Sequence, residues 1–221
     1  MRLFWNLWYF FRMIVVYSLM IPVLYFYVFS AFPAETAHRE GFAFLVGAGC
    51  AILGAVVCSW LFSFMPYETL SPLLVYTVTF IRESLIPYII IPFLCLLVFN
   101  GRFSDKIGMI VSVTFGSAAV FLPYNMFTRY WGPDVWASAM IPLLVLSYLF
   151  VLDMVWRKLI SRRCADFMDL FPEALIPIAL FLVIDGAKTL WYYGYPAWIY
   201  WIVSLCILGS ALFIRLYKYF R

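Results

Sequence analysis

Apolar runs long enough to cross a bilayer recur along this chain and leave few folds open to it. A membrane-spanning helix needs roughly 20 mostly apolar residues. Runs near that length cover residues 13–32, 42–65, 107–127, 138–156 and 199–216. Another, at 174–185, reaches it only by continuing across Gly186 and Lys188. Residues 70–100 form a further run with charge in its middle. In lipid every backbone polar group must be satisfied internally, and uniformly apolar runs of this size do so as helices. The expected fold is therefore all-α: a polytopic integral membrane helical bundle of six to seven membrane segments. The loops between the runs are short, so residues 1–221 are expected to form a single transmembrane helical domain. Composition agrees, with 67% of residues hydrophobic and only 12% charged, against about 25% charged in a soluble domain.

Residues 1–10, MRLFWNLWYF, mix Arg2 with Trp5, Trp8 and Tyr9. Amphipathic aromatics and arginine favour the headgroup layer, so this stretch reads as an interfacial lead-in. Arg12 and the lack of an A-x-A cleavage site argue against a cleaved signal peptide.

The net charge of +4 is informative through its placement. Basic residues gather at 157–163 (RKLISRR) and 215–221 (RLYKYFR). Such clusters mark cytoplasmic ends, so the C-terminus is expected on the cytoplasmic side of a membrane of bacterial inner-membrane type. A folded basic surface of the kind nucleic acid requires is missing from the pattern. The bilayer is the expected partner, with other membrane-protein subunits beside it. Asp153 and Arg157 stand at i,i+4 spacing, which suits a pair at the membrane boundary.

Four of the five cysteines lie within apolar runs, and no CxxC occurs. They read as small hydrophobes rather than disulfide or zinc ligands. His38, the one histidine, lies in the segment 33–41 (PAETAHREG), read as a solvated polar loop. No metal site or cofactor is expected, because a metal needs three or four converging ligands.

Small residues recur at helical spacing in the second run: Gly47, Ala51, Ala55 and Ser59, with Cys50, Gly54 and Cys58 beside them. Such stripes admit a second helix at close range, so this helix is expected at the centre of the bundle. Gly108, Ser112 and Gly116 form a similar stripe in the run 107–127.

Residues 70–100, LSPLLVYTVTFIRESLIPYIIIPFLCLLVFN, decide the topology. Arg82 and Glu83 are adjacent near the middle, and Pro87 and Pro92 follow. A single crossing gives seven crossings and an N-terminus outside. A broken or re-entrant segment gives six and places both termini inside, together with Arg2 and Arg12. Charge counting favours the re-entrant form and a cytoplasmic N-terminus.

This stretch also holds the leading candidate site. Tyr76, Thr79, Arg82 and Glu83 form a polar intramembrane stripe at i, i+3, i+6 and i+7. An ionisable group at the bilayer centre costs about 2.5–3.5 kcal/mol, so it turns inward and finds a partner. Asp185 and Lys188, at i,i+3 beside the aromatic belt 188–198 (KTLWYYGYPAW), are a secondary polar pair expected at the interface. No GxSxG, HExxH or phosphate-binding glycine loop occurs. Asp185-Gly186-Ala187 resembles the opening of the DG-xx-A core of membrane enzymes that transfer phospho-alcohols, but the further aspartates of that chemistry are missing. The expected function is a small transporter or permease, or the membrane subunit of a transport complex. The alternative is a non-catalytic membrane scaffold or assembly factor for partner membrane proteins or lipids.

Overall fold

The computed structural model describes residues 2–29, 34–62, 71–99, 106–128, 140–149, 152 and 167–219. All regular structure among them is helical. Helix α1 spans Arg2–Phe29 and α2 spans Ala34–Phe62. Helix α3, Pro72–Phe80, runs into a π-helical segment, Ile81–Ile90, and then into α4, Ile91–Phe99. Helix α5 is Lys106–Thr128 and α6 is Met140–Leu149. Helices α7, Phe167–Tyr192, and α8, Ala197–Tyr219, complete the described chain.

Among the described residues, three stretches are long and apolar enough to cross a membrane: His38–Phe62, Pro72–Cys95 and Gly108–Thr128. The distribution of side chains supports the same environment. Leu45, Leu53, Trp60, Leu73, Val98 and Phe213 are exposed, whereas Ser18, Thr114, Ser147 and Ser204 are buried. These four hydroxyls donate to carbonyls of their own helices, Val15, Ile110, Leu143 and Tyr200, at 2.6–3.0 Å. A buried hydroxyl is thereby satisfied without a partner helix.

The central helix is α5, not α2. Of the membrane-length windows, 78% of the one in α5 is buried and only 28% of the one in α2. Helix α5 contributes to both apolar cores. One joins its Ile110, Phe115 and Leu122 to residues of α1, α6, α7 and α8. The other joins its Met109, Val113 and Phe121 to Ala51, Ala55, Ile91 and Cys95. The small-residue stripe of α2 does admit a close neighbour on one face. A Cβ on Gly47 would lie 2.2 Å from the Val113 carbonyl oxygen, and one on Gly116 would lie 2.0 Å from that of Phe44. One side of α2 suffices for its contacts with α5 and α4, so α2 packs at the periphery with Leu45, Leu53 and Trp60 turned outward.

The loop expected at 33–41 is instead helical from Ala34 onward. His38 and Arg39 are exposed, but Glu40 is buried and accepts a hydrogen bond from Ser112 on α5. The lead-in at the N-terminus is part of α1, which runs from Arg2 without interruption. Helix α7 is longer than its apolar run, starting before Pro172 and crossing Gly186 and Lys188. Asp153, Arg157 and the basic cluster 157–163 lie outside the described residues.

Residues 72–99 do not turn back. Ser71 caps the start, its hydroxyl accepting from Leu74 N–H at 3.4 Å, and Pro72 occupies the first turn, where no donor is required. From there the backbone stays right-handed helical through Phe80, Ile81 and Ile91. The interruption is one of register. Ile91 N–H bonds Ile86 O, five residues back. Pro87 lies inside this segment and has no N–H to give, and its ring would press on the i−4 carbonyl of an α-helix. The wider π turn relieves that conflict while the helix continues. No glycine occurs between residues 70 and 100 to form the reversal that a re-entrant loop needs.

Helices α7 and α8 meet through a tight turn. Gly194 takes φ 74°, with Gly194 N–H bonding Trp191 O and Tyr195 N–H bonding Leu190 O. This paired pattern closes a helix C-terminus and favours glycine at the left-handed position. Tyr193, Tyr195 and Trp198 are exposed around it, so the aromatic belt is carried by the turn.

Candidate functional site

The π segment directs adjacent charges to different helices. Glu83 faces α7 and Arg82 faces α5. Lys188 Nζ lies 3.3 Å from a Glu83 carboxylate oxygen and 2.9 Å from Asp185 Oδ1. Ser84 Oγ donates to the other Asp185 oxygen. Thr189 Oγ1 donates to the Asp185 carbonyl at 2.7 Å, and Tyr76 OH to the Leu182 carbonyl at 3.1 Å. Glu83, Ser84, Asp185 and Lys188 are all buried. Two pairs read separately in the sequence, Arg82–Glu83 and Asp185–Lys188, thus combine through one interhelical contact.

Each member occupies its place for a local reason. Asp185 and Lys188 stand three residues apart, one turn along the same face of α7. Glu83 follows Tyr76 by seven residues, which places both toward α7. Thr79 is buried on α3. The polar stripe is therefore divided: Tyr76 and Glu83 meet α7, while Arg82 leaves it. Asp185 and Lys188, expected at the interface, lie inside the protein.

Two carboxylates share one ammonium here. Removing several charges from water costs several kcal/mol per ion, and close pairing with additional hydrogen bonds offsets this. The Ser84 hydroxyl and the Lys188 ammonium supply those bonds to Asp185. Above the cluster, Tyr88 stacks on Phe181 with ring centroids 5.7 Å apart and meets Tyr148 at 5.6 Å. All three rings are buried, so this side is closed by aromatic packing.

Arg82 reaches the opposite neighbour. Its Nη2 donates to Tyr124 OH at 3.0 Å and to Thr128 Oγ1 at 3.2 Å, and the guanidinium lies 5.2 Å from the Tyr124 ring centroid. Tyr124 and Thr128 are one turn apart on α5. Tyr124 OH is also 2.5 Å from Ser59 Oγ on α2. Arg82 is 6% exposed, and its Nε has no hydrogen-bond acceptor.

Ser84, Tyr124 and Thr128 are the site residues that sequence reasoning did not single out, and Ser59 enters that reasoning only as part of the packing stripe of α2. Ser84 directly follows the charged pair, and that adjacency was its only signal. Nothing in the sequence links Tyr124 or Ser59 to residue 82. No group of three or more histidine, cysteine or carboxylate side chains able to hold a metal occurs among the described residues. Compared with protein-family models, curated proteins and solved structures, the chain finds no match.

Proposed function

We propose that this protein is a small transporter or permease, or the membrane subunit of a transport complex, and that the Glu83–Asp185–Lys188 cluster is its polar intramembrane site. The observation that carries this reading is a buried group of three charges, joined across two helices at a π segment. Ionisable residues inside a membrane bundle mark ion and substrate paths, and π turns recur at functional sites. In this reading Lys188 acts as a resident cation. A proton or small cation that binds Glu83 or Asp185 displaces its ammonium, and the Ser84 hydroxyl keeps Asp185 oriented during the exchange.

We further propose seven crossings in a membrane of bacterial inner-membrane type. The C-terminus is cytoplasmic, and the N-terminus lies on the opposite side. The continuous helix 72–99 supports this count, and the basic clusters near the C-terminal end support the orientation.

The test uses proteoliposomes loaded with a pH-sensitive dye and challenged with gradients of H+, Na+ or K+. The wild-type chain is expected to carry flux under at least one gradient. Glu83→Gln and Asp185→Asn are expected to abolish it while eluting as folded protein. Unchanged flux in both variants removes the basis of the proposal. The scaffold reading draws on the outward apolar face of α2 (Leu45, Leu53, Trp60). A stoichiometric partner that co-purifies with a chain inert in every gradient favours it.

A further inference from the structure

We infer that Arg82 anchors a binding site for a phosphate-bearing lipid headgroup, at the seam where α2, the π segment and α5 meet. This site is separate from the Glu83–Asp185–Lys188 cluster and does not depend on any transport activity.

The inference begins with an imbalance of donors. A guanidinium offers five N–H groups, accepts none and keeps its charge at any physiological pH. Arg82 uses two of the five, both on Nη2, and both acceptors are neutral hydroxyls. Nε, fully buried, has no acceptor. Among the described residues no carboxylate lies within ion-pair distance of Arg82; Glu83, its neighbour in sequence, pairs with Lys188 on another helix. A buried cation with unfilled donors calls for an anion that brings several acceptor oxygens. Phosphate is the chemistry that matches a planar fork of donors most closely.

The surrounding hydroxyls are oriented in the same sense. Thr128 Oγ1 accepts from Arg82 and donates to the Tyr124 carbonyl at 2.9 Å. Tyr124 OH accepts from Arg82 and shares a hydrogen bond with Ser59 Oγ in which either hydroxyl can donate. One hydroxyl proton of that pair is left over. The network therefore leaves donors unfilled: N–H groups of Arg82 and one O–H of the Ser59–Tyr124 pair.

Position identifies the source of the anion. Ser59 and Thr128 are both exposed. Each sits beside a large exposed apolar side chain, Trp60 at 66% and Phe127 at 57%. The edge thus lies between two helices that sit side by side, and it faces outward among exposed apolar side chains. A phosphodiester arriving there keeps its acyl chains against Trp60 and Phe127 while its oxygens meet Arg82 and Ser59.

The test is native mass spectrometry of the full chain released from detergent. The probes are phosphatidylglycerol, phosphatidylcholine, diacylglycerol lacking a headgroup, and inorganic phosphate. The wild-type chain is expected to retain one phospholipid and to discard diacylglycerol. Arg82→Gln is expected to weaken retention at least about tenfold, the loss of charge-assisted hydrogen bonds to one anion, and Arg82→Lys by less. Ser59→Ala, at an exposed position that leaves the charge in place, is expected to weaken it severalfold, which keeps the question decidable if Arg82→Gln does not fold. Arg39→Gln is the surface control and is expected to leave retention unchanged. Binding of inorganic phosphate with no preference for phospholipid keeps the anion site but overturns its lipid source. Equal retention by wild type, Arg82→Gln and Ser59→Ala overturns the site, as does equal retention of diacylglycerol or no binding of any phosphate probe.

Discussion

Lys188 places its ammonium against both the Glu83 and the Asp185 carboxylates. Replacing it by methionine preserves most of its length and removes the charge, leaving two buried carboxylates near each other. Breaking a buried pair in this way costs about 3–5 kcal/mol. Lys188→Met is therefore expected to lower the thermal unfolding midpoint in detergent markedly. Adding Asp185→Asn is expected to recover part of the loss, because one of the stranded charges is then gone. Equal midpoints for wild type and Lys188→Met contradict this account. At this scale the sequence is only half readable. The spacing of Asp185 and Lys188 announces their contact along one helix. Their junction with Glu83 spans 105 positions, and nothing in residue identity fixes which helix α7 faces. Arg82 is similar: its need for partners is evident from its place in an apolar run, but Tyr124 and Thr128 are known only once α5 is seen beside it.

At the level of elements, the close approach of α2 and α5 rests on two glycines. Gly47→Ala and Gly116→Ala each drive a methyl group into a backbone carbonyl of the facing helix. A side chain could rotate aside, but backbone cannot, so the helices must separate. Each is expected to destabilise the chain by about 1–3 kcal/mol or more. Gly49→Ala meets nothing within 4 Å and is expected to be neutral or slightly stabilising, since alanine restricts the unfolded chain. Thermal unfolding of the three variants side by side tests the contact; a harmless Gly47→Ala refutes it. The stripe of small residues was legible because periodicity alone creates it. Centrality was not, because a stripe says how near one neighbour comes and not how many neighbours there are. The π segment was legible only as a disturbance. Pro87 and the charged pair signal that the α register fails, but reversal and widening are both ways to fail. The difference lies in whether the flanking helices find separate partners, and here they do: α3 packs on α7, and α4 on α5 and α2.

For the whole molecule, a continuous helix at residues 72–99 makes the proposed number of crossings odd and separates the termini. Single cysteines introduced as Arg2→Cys, His38→Cys, Arg102→Cys and Leu190→Cys in a chain lacking its native thiols report this in intact cells. Positions 2 and 190 are expected to react with an impermeant maleimide, and 38 and 102 only after lysis. Protection at 2 with reaction at 38 restores the even count. The four charges described at the π segment and on α7 bear on how such a chain enters the bilayer. Helix 72–99 carries Arg82 with Glu83, and α7 carries Asp185 with Lys188. Within the apolar stretch of each helix the two opposite charges lie within one turn and cancel; Asp169 and Glu173 of α7 stand near its start, outside that stretch. Either helix can leave the insertion machinery alone without carrying a net charge into lipid. The exchange of partners, Glu83 to Lys188 and Arg82 to the hydroxyls of α5, then belongs to assembly rather than insertion, and biogenesis can proceed helix by helix.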